Sequence, residues 1–133
     1  MFTVDTYLSE SIGKGLGVYS VNYIPKGTIV WEYIDGIDLK VHSNKLTELN
    51  DIQLKYINKY FWREGDYYYS SPDLSQYQNH SDNINITIYN NDSNIPCSER
   101  PMIACRDIQP NEELLVDYSE FDEDYDSYKD NLI

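Results

Sequence analysis

The chain has 133 residues, enough for one domain with a real core and too few for two. Ten basic against 23 acidic residues leave a net charge of -13, a field that repels nucleic-acid backbones and anionic membranes and draws in basic proteins or peptides. The apolar 41% is dispersed, with no run near the roughly 18 residues of a membrane span and no leader-like start, so an intracellular, soluble protein is expected, in cytoplasm or nucleus.

Period-two alternation with β-branched and aromatic enrichment predicts short strands over residues 3–8, 17–21, 28–33, 67–70, 85–89, 102–106 and 113–116. Between the third and fourth lies one helical pattern, residues 47–61, where Leu49, Ile52, Tyr56, Ile57 and Tyr60 recur at spacings of three and four. Residues 43–47 offer its N-cap, and its apolar stripe is expected to cover a sheet. Pro25-Lys26-Gly27 and Gln109-Pro110-Asn111 have turn chemistry ahead of strands, and residues 90–101 read as a polar loop joining two of them. Residues 120–126 are mostly carboxylates around Phe121 and Tyr125, divided between a solvated tail and a functional rim. The whole reads as mainly β, with a domain over 1–121 and an acidic C-terminal tail over 122–133.

Cys97 and Cys105 are too few for a disulfide framework and lack the paired spacing of a zinc site, so no metal is expected. Sequons at Asn79, Asn85 and Asn91 arise by chance in a chain this rich in asparagine.

Three motifs carry chemistry together. Lys14-Gly15-Leu16-Gly17-Val18-Tyr19 combines a glycine turn with a strand; it lacks the third glycine and βαβ context of a dinucleotide site. Gln78-Asn79-His80-Ser81-Asp82-Asn83-Ile84-Asn85 offers an amide and backbone groups that pair polar edges without adding charge. Glu112-Glu113-Leu114-Leu115-Val116-Asp117-Tyr118 ends on one of 14 tyrosines that composition alone would leave in the core or on the surface. In this order the three resemble the SET-domain lysine methyltransferases, over about residues 7 to 121, and are similar to the minimal, free-standing SET proteins of large viruses and some bacteria. A viral origin would place the protein in a host cell.

The resemblance implies a SET fold of small antiparallel sheets with short helices and a C-terminal pseudoknot. It implies S-adenosyl-L-methionine as cofactor, held by Lys14, Gly15, Leu16, Gly17, Tyr77, Asn79 and His80, with His80 acting mainly through its backbone. Tyr118 falls on the family's catalytic tyrosine, and Tyr33, Tyr67 and Phe121 are candidates for the wall of a lysine channel. The implied partner is a basic protein or peptide, histone-like or ribosomal, with oligomeric state open between monomer and homodimer. Two positions depart from the family pattern: Gln76 stands for Arg and Ile84 for Pro. They keep a second class open, a non-catalytic acidic interaction protein or nucleic-acid charge mimic; the intact Asn79-His80 and Tyr118 favour the enzyme.

Overall fold

A computed structural model describes residues 1–132. Strands β1 (Thr6–Ser11) and β2 (Gly15–Ser20) form an antiparallel hairpin in which Tyr7 stacks on Tyr19 at 5.6 Å. β3 (Ile29–Trp31) begins the central sheet, and β4 (Leu39–His42) begins another. Helix α1 (Asp51–Tyr60) leads into β5 (Trp62–Glu64) and β6 (Tyr67–Ser70), which joins β4 to β5 in a three-stranded antiparallel sheet. The two-residue β7 (Asn79–His80) precedes β8 (Ile86–Ile88) and β9 (Met102–Ala104); β9 lies between β3 and β8 in the central sheet. Finally β10 (Leu115–Val116) pairs parallel to β7, and a short α2 (Tyr125–Tyr128) follows.

The expected mainly β architecture of small antiparallel sheets is present. Its core gathers Val18, Val30, Ile86, Ala104, Ile108, Leu114 and Val116, all essentially inaccessible. These come from stretches spread between residues 18 and 116, so burying them forces the hairpin, central sheet and β10 together. Asn85, fully buried, fastens them: its N–H donates to Leu115 O (3.2 Å), Nδ2 to Glu113 O (2.7 Å), and Oδ1 accepts from Leu115 N–H (2.8 Å). A side-chain amide thus substitutes for a neighbouring strand and satisfies backbone that would otherwise be buried unpaired. The turn residues expected to tolerate positive φ do so, Gly27 at 89° and Asn111 at 66°.

Several expectations need correction. The helix is ten residues long, and residues 43–48 form a separate 3-10 turn (Ser43–Glu48), so none of 43–47 caps it. The cap is Asn50, whose Oδ1 accepts from Gln53 N–H while Gln53 Oε1 accepts from Asn50 N–H, both at 3.0 Å. No residue of α1 is buried and Ile52 is 81% exposed, so the stripe covers no sheet; only Leu54, Ile57 and Tyr60 are half-buried. β4, β5 and β7 were not predicted, and the first strand runs over Thr6–Ser11 where 3–8 was expected. Residues 90–101 do join β8 to β9, with a 3-10 turn at Cys97–Glu99 that buries Ser98.

The acidic tail is folded onto the domain. Asp122, 8% exposed, accepts from Arg63 N–H (3.2 Å) and Tyr128 Oη–H (2.5 Å). Asp124 takes the Arg63 guanidinium at 2.8 to 3.1 Å, and Glu123 accepts from Gly65 N–H at 2.9 Å. Residue 133, the last of the expected tail, lies outside the described residues.

Candidate functional site

The parallel β7–β10 ladder places Leu115 opposite Asn79 and Val116 opposite His80, so residues 36 apart in sequence become neighbours. The β1–β2 hairpin closes one side. Lys14 Nζ donates to His80 O at 2.8 Å, and Asn79 Nδ2 donates to Leu16 O (3.0 Å) and Glu113 Oε2 (2.9 Å). Glu113 Oε1 accepts from Ser11 Oγ–H at 2.9 Å, locking hairpin and C-terminal motif through one carboxylate.

Gly17 exists because of that lock. A Cβ there would stand 2.4 Å from Glu113 Oε2 and 3.0 Å from Ser11 Cβ, well inside contact distance. Gly15 serves differently: its φ of 78° disfavours any side chain, and open space faces the missing Cβ.

Tyr118 N–H donates to His80 Nδ1 at 3.1 Å, which leaves the proton of a neutral ring on Nε2, 3.2 Å from Tyr125 Oη. The imidazole is therefore clamped between backbone and tail, and its own carbonyl is taken by Lys14. The Tyr118 hydroxyl donates to Gln78 O at 2.5 Å. Burial pushes its pKa up to about 12, with the Asp122 and Glu113 carboxylates adding to the rise. At neutral pH it is a protonated hydroxyl.

Two cavities meet at this tyrosine. A cleft of about 290 Å³ is lined by Lys14, Gly15, Asn79, His80 and Tyr118, together with Gly13 and the C-terminal residues Asn131 and Leu132. A second cavity, of about 330 Å³, has an aromatic wall of Trp31, Tyr60, Phe61, Trp62, Phe121 and Tyr128 and also contains Tyr118. Trp62 lies edge-on to Phe121 at 5.6 Å, and Phe121 meets Tyr118 at 6.1 Å.

Of the residues singled out from sequence, Lys14, Gly15, Asn79, His80 and Tyr118 share the cleft, while Tyr118 and Phe121 share the aromatic cavity. Leu16 and Gly17 stand just beyond the cleft along β2, contributing the carbonyl that holds Asn79 and the space that admits Glu113. Tyr77 packs against the core. Tyr33 and Tyr67 fall outside both cavities: Tyr33 meets Tyr69 edge-on at 6.3 Å, and Tyr67 lies under Lys40 Nζ at 4.6 Å and against His42. Trp31, Trp62 and Tyr128, not singled out from sequence, line the aromatic cavity. No local pattern distinguishes these three, because β3, β5 and the tail converge only in the folded chain.

The profile of the SET domain family matches residues 15–119. No curated protein matches the sequence. Among solved structures, a Plasmodium falciparum protein described as a candidate histone methyltransferase shares 24% identity and a TM-score of 0.59, over 87% of this chain and 94% of that one. A humanized mutant of the Chaetomium thermophilum Polycomb Repressive Complex 2, bound to the inhibitor GSK126, gives a TM-score of 0.64 at 19% identity, over 90% of this chain and 15% of that one. KRYPTONITE in complex with mCHH DNA, an H3(1-15) peptide and SAH gives 0.61 at 22%, over 88% of this chain and 24% of that one. At these identities the likeness is one of fold, and this chain spans only a small part of the latter two.

Proposed function

Because the chain belongs to the SET domain family, we propose that it is a methyltransferase that uses S-adenosylmethionine to methylate lysine side chains of a basic protein. The observation that carries the reading is Tyr118, the one aromatic side chain common to the glycine-edged cleft and the aromatic cavity. A donor in the first and an amine in the second would meet at its hydroxyl.

The cleft suits such a cofactor. Gly13 and Gly15 leave its edge free of side chains, so backbone can approach a ligand. Asn79 Nδ2 is committed to Leu16 and Glu113, which leaves Oδ1 as the amide's acceptor for a ligand's amino group. Held by Lys14, Gly15, Asn79 and His80, S-adenosylmethionine would supply a sulfonium methyl for an amine lone pair, with the neutral thioether as leaving group.

The chain's own residues prepare the amine. A lysine, with an ordinary pKa of about 10.4, must lose a proton before its lone pair is available. The walls of Trp62, Phe61 and Phe121 strip water from an entering ammonium, which favours the neutral amine against the opposing pull of the Asp122 carboxylate in the same cavity. The Tyr118 hydroxyl gives its hydrogen to Gln78 O, so its oxygen is left to accept an N–H of that amine and turn the lone pair toward the cleft. Held protonated, Tyr118 orients and does not act as a base. The KRYPTONITE complex with an H3(1-15) peptide supports histone tails as the first substrates to try.

Calorimetry with S-adenosylmethionine, followed by mass spectrometry of core histones incubated with both, tests the reading. Saturable binding and a 14 Da increment on lysine are expected, the increment being that of one methylene. Failure to bind the cofactor would instead support a non-catalytic acidic interaction protein.

A further inference from the structure

Gln78 holds an unfilled position in the aromatic cavity. Its Nε2 is buried without a hydrogen-bond partner, the one buried side-chain polar atom so left among the described residues. Buried amides in native folds are nearly always satisfied. Neither atom of this amide bonds any described residue, while the same residue's carbonyl accepts from Tyr118 Oη–H. Gln78 lines the cavity together with Tyr118, Val116 and Phe121, in a wall that also contains Ser75, Ser98 and Asp122. An amide with no partner in the fold is satisfied when a ligand brings one.

We propose that Gln78 is a specificity-determining residue that pairs with the substrate amine and restricts the reaction to monomethylation. The inference rests on the proposed function. With no bond to break, the amide can turn over and offer Oε1, and a primary amine approaching Tyr118 has two N–H groups to place. One goes to Tyr118 Oη and the other to Gln78 Oε1, leaving the lone pair free to react. Once methylated, the nitrogen keeps one N–H, and its methyl group must take one of those two polar positions. Facing Gln78, the methyl leaves the amide desolvated and unpaired again, so second transfer is disfavoured. Loss of one such hydrogen bond shifts discrimination by about five- to ten-fold.

The test uses the H3(1-15) peptide and core histones with saturating S-adenosylmethionine, wild type beside Gln78→Met and Gln78→Leu, with mono-, di- and trimethyl-lysine resolved by mass spectrometry. Wild type is expected to stop at monomethyl-lysine, and both variants to raise the dimethyl fraction at least about five-fold with a higher peptide KM. Thermal melts provide a readout independent of turnover: removing an unsatisfied amide leaves Gln78→Met melting at or above the wild-type temperature. Unchanged product ratios from active proteins, a wild type that runs to trimethyl-lysine, or a lower melting temperature in Gln78→Met would each overturn the role of Gln78. If wild type methylates neither peptide nor histones, the proposed function fails, and the inference falls with its premise.

Discussion

Each residue around Tyr118 is held by contacts that make single substitutions informative. Tyr118→Phe removes only the hydroxyl, so the fold and cofactor affinity should persist while transfer to lysine falls by at least about a hundred-fold, within the range positioned polar groups contribute. Calorimetry beside a single-turnover assay separates the two effects; near-normal turnover would displace Tyr118 from its proposed role. The same variant carries a pH signature. The folded-state pKa of Tyr118 lies above the ordinary 10, at about 12, so its proton stabilises the fold below pH 10 and that contribution drains away as pH rises toward 12. By pH 11 wild type should have lost about 1 kcal/mol more than Tyr118→Phe in urea melts. Burial also raises Tyr69 and Tyr128; the Tyr69 effect is common to both proteins, while Tyr128, whose rise owes a minor part to Tyr118, differs slightly between them. Gly17→Ala probes the other side of the site. Its methyl would overlap Glu113 Oε2 and break the bonds of Glu113 to Ser11 and Asn79, with an expected loss of about 2 to 4 kcal/mol. A melting temperature equal to wild type would mean the hairpin adjusts freely.

At the scale of elements, the C-terminal segment departs furthest from a sequence reading. Charge and composition make residues 122–128 resemble a solvated tail, yet Asp122 satisfies Arg63 N–H, Asp124 N–H and Tyr128 Oη–H at once. Asp122→Ala leaves those donors without their acceptor and should cost about 3 kcal/mol, accompanied by faster chymotryptic cleavage at Tyr125 and Tyr128. Intact protease resistance would show the segment is held by other contacts. The reason this docking was illegible is physical. An exposed carboxylate and one buried against Arg63 are the same letter, and the partner lies some sixty residues away. The helix misled for a related reason: Ile52 and Tyr56 complete a periodic stripe, but no sheet stands beneath it. What was legible were features whose chemistry is local. The turns at Gly27 and Asn111, strand β6 at its full extent, and the order of the three motifs all follow from neighbouring residues. The two-residue β7 was not, since only its pairing with β10 makes it a strand.

For the molecule as a whole, the net charge of -13 is the remaining guide to how the proposed basic substrate would arrive. The acids nearest the Tyr118 motif do not supply a free rim. Glu120 accepts from Thr87 Oγ1–H, and Asp122, Glu123 and Asp124 are committed to Arg63, Gly65 and Tyr128. Converting these four to amides would weaken the fold along with any steering, so it cannot isolate the field. Asp5, Glu10 and Asp66 are exposed, and their carboxylates make no hydrogen bond or ion pair among the described residues. Replacing them by Asn, Gln and Asn lowers the charge while leaving every described contact intact. Long-range attraction depends on the Debye length, which contracts from about 30 Å at 0.01 M to about 8 Å at 0.15 M ionic strength. For wild type acting on a basic peptide, KM should therefore rise several-fold across that range while kcat holds, because the field acts on encounter and not on the aligned amine. The triple variant should begin with a higher KM at low salt and show a shallower rise. A KM that ignores salt in both proteins would mean short-range contacts at the aromatic cavity alone select the substrate, and that the acidic surface does not steer it.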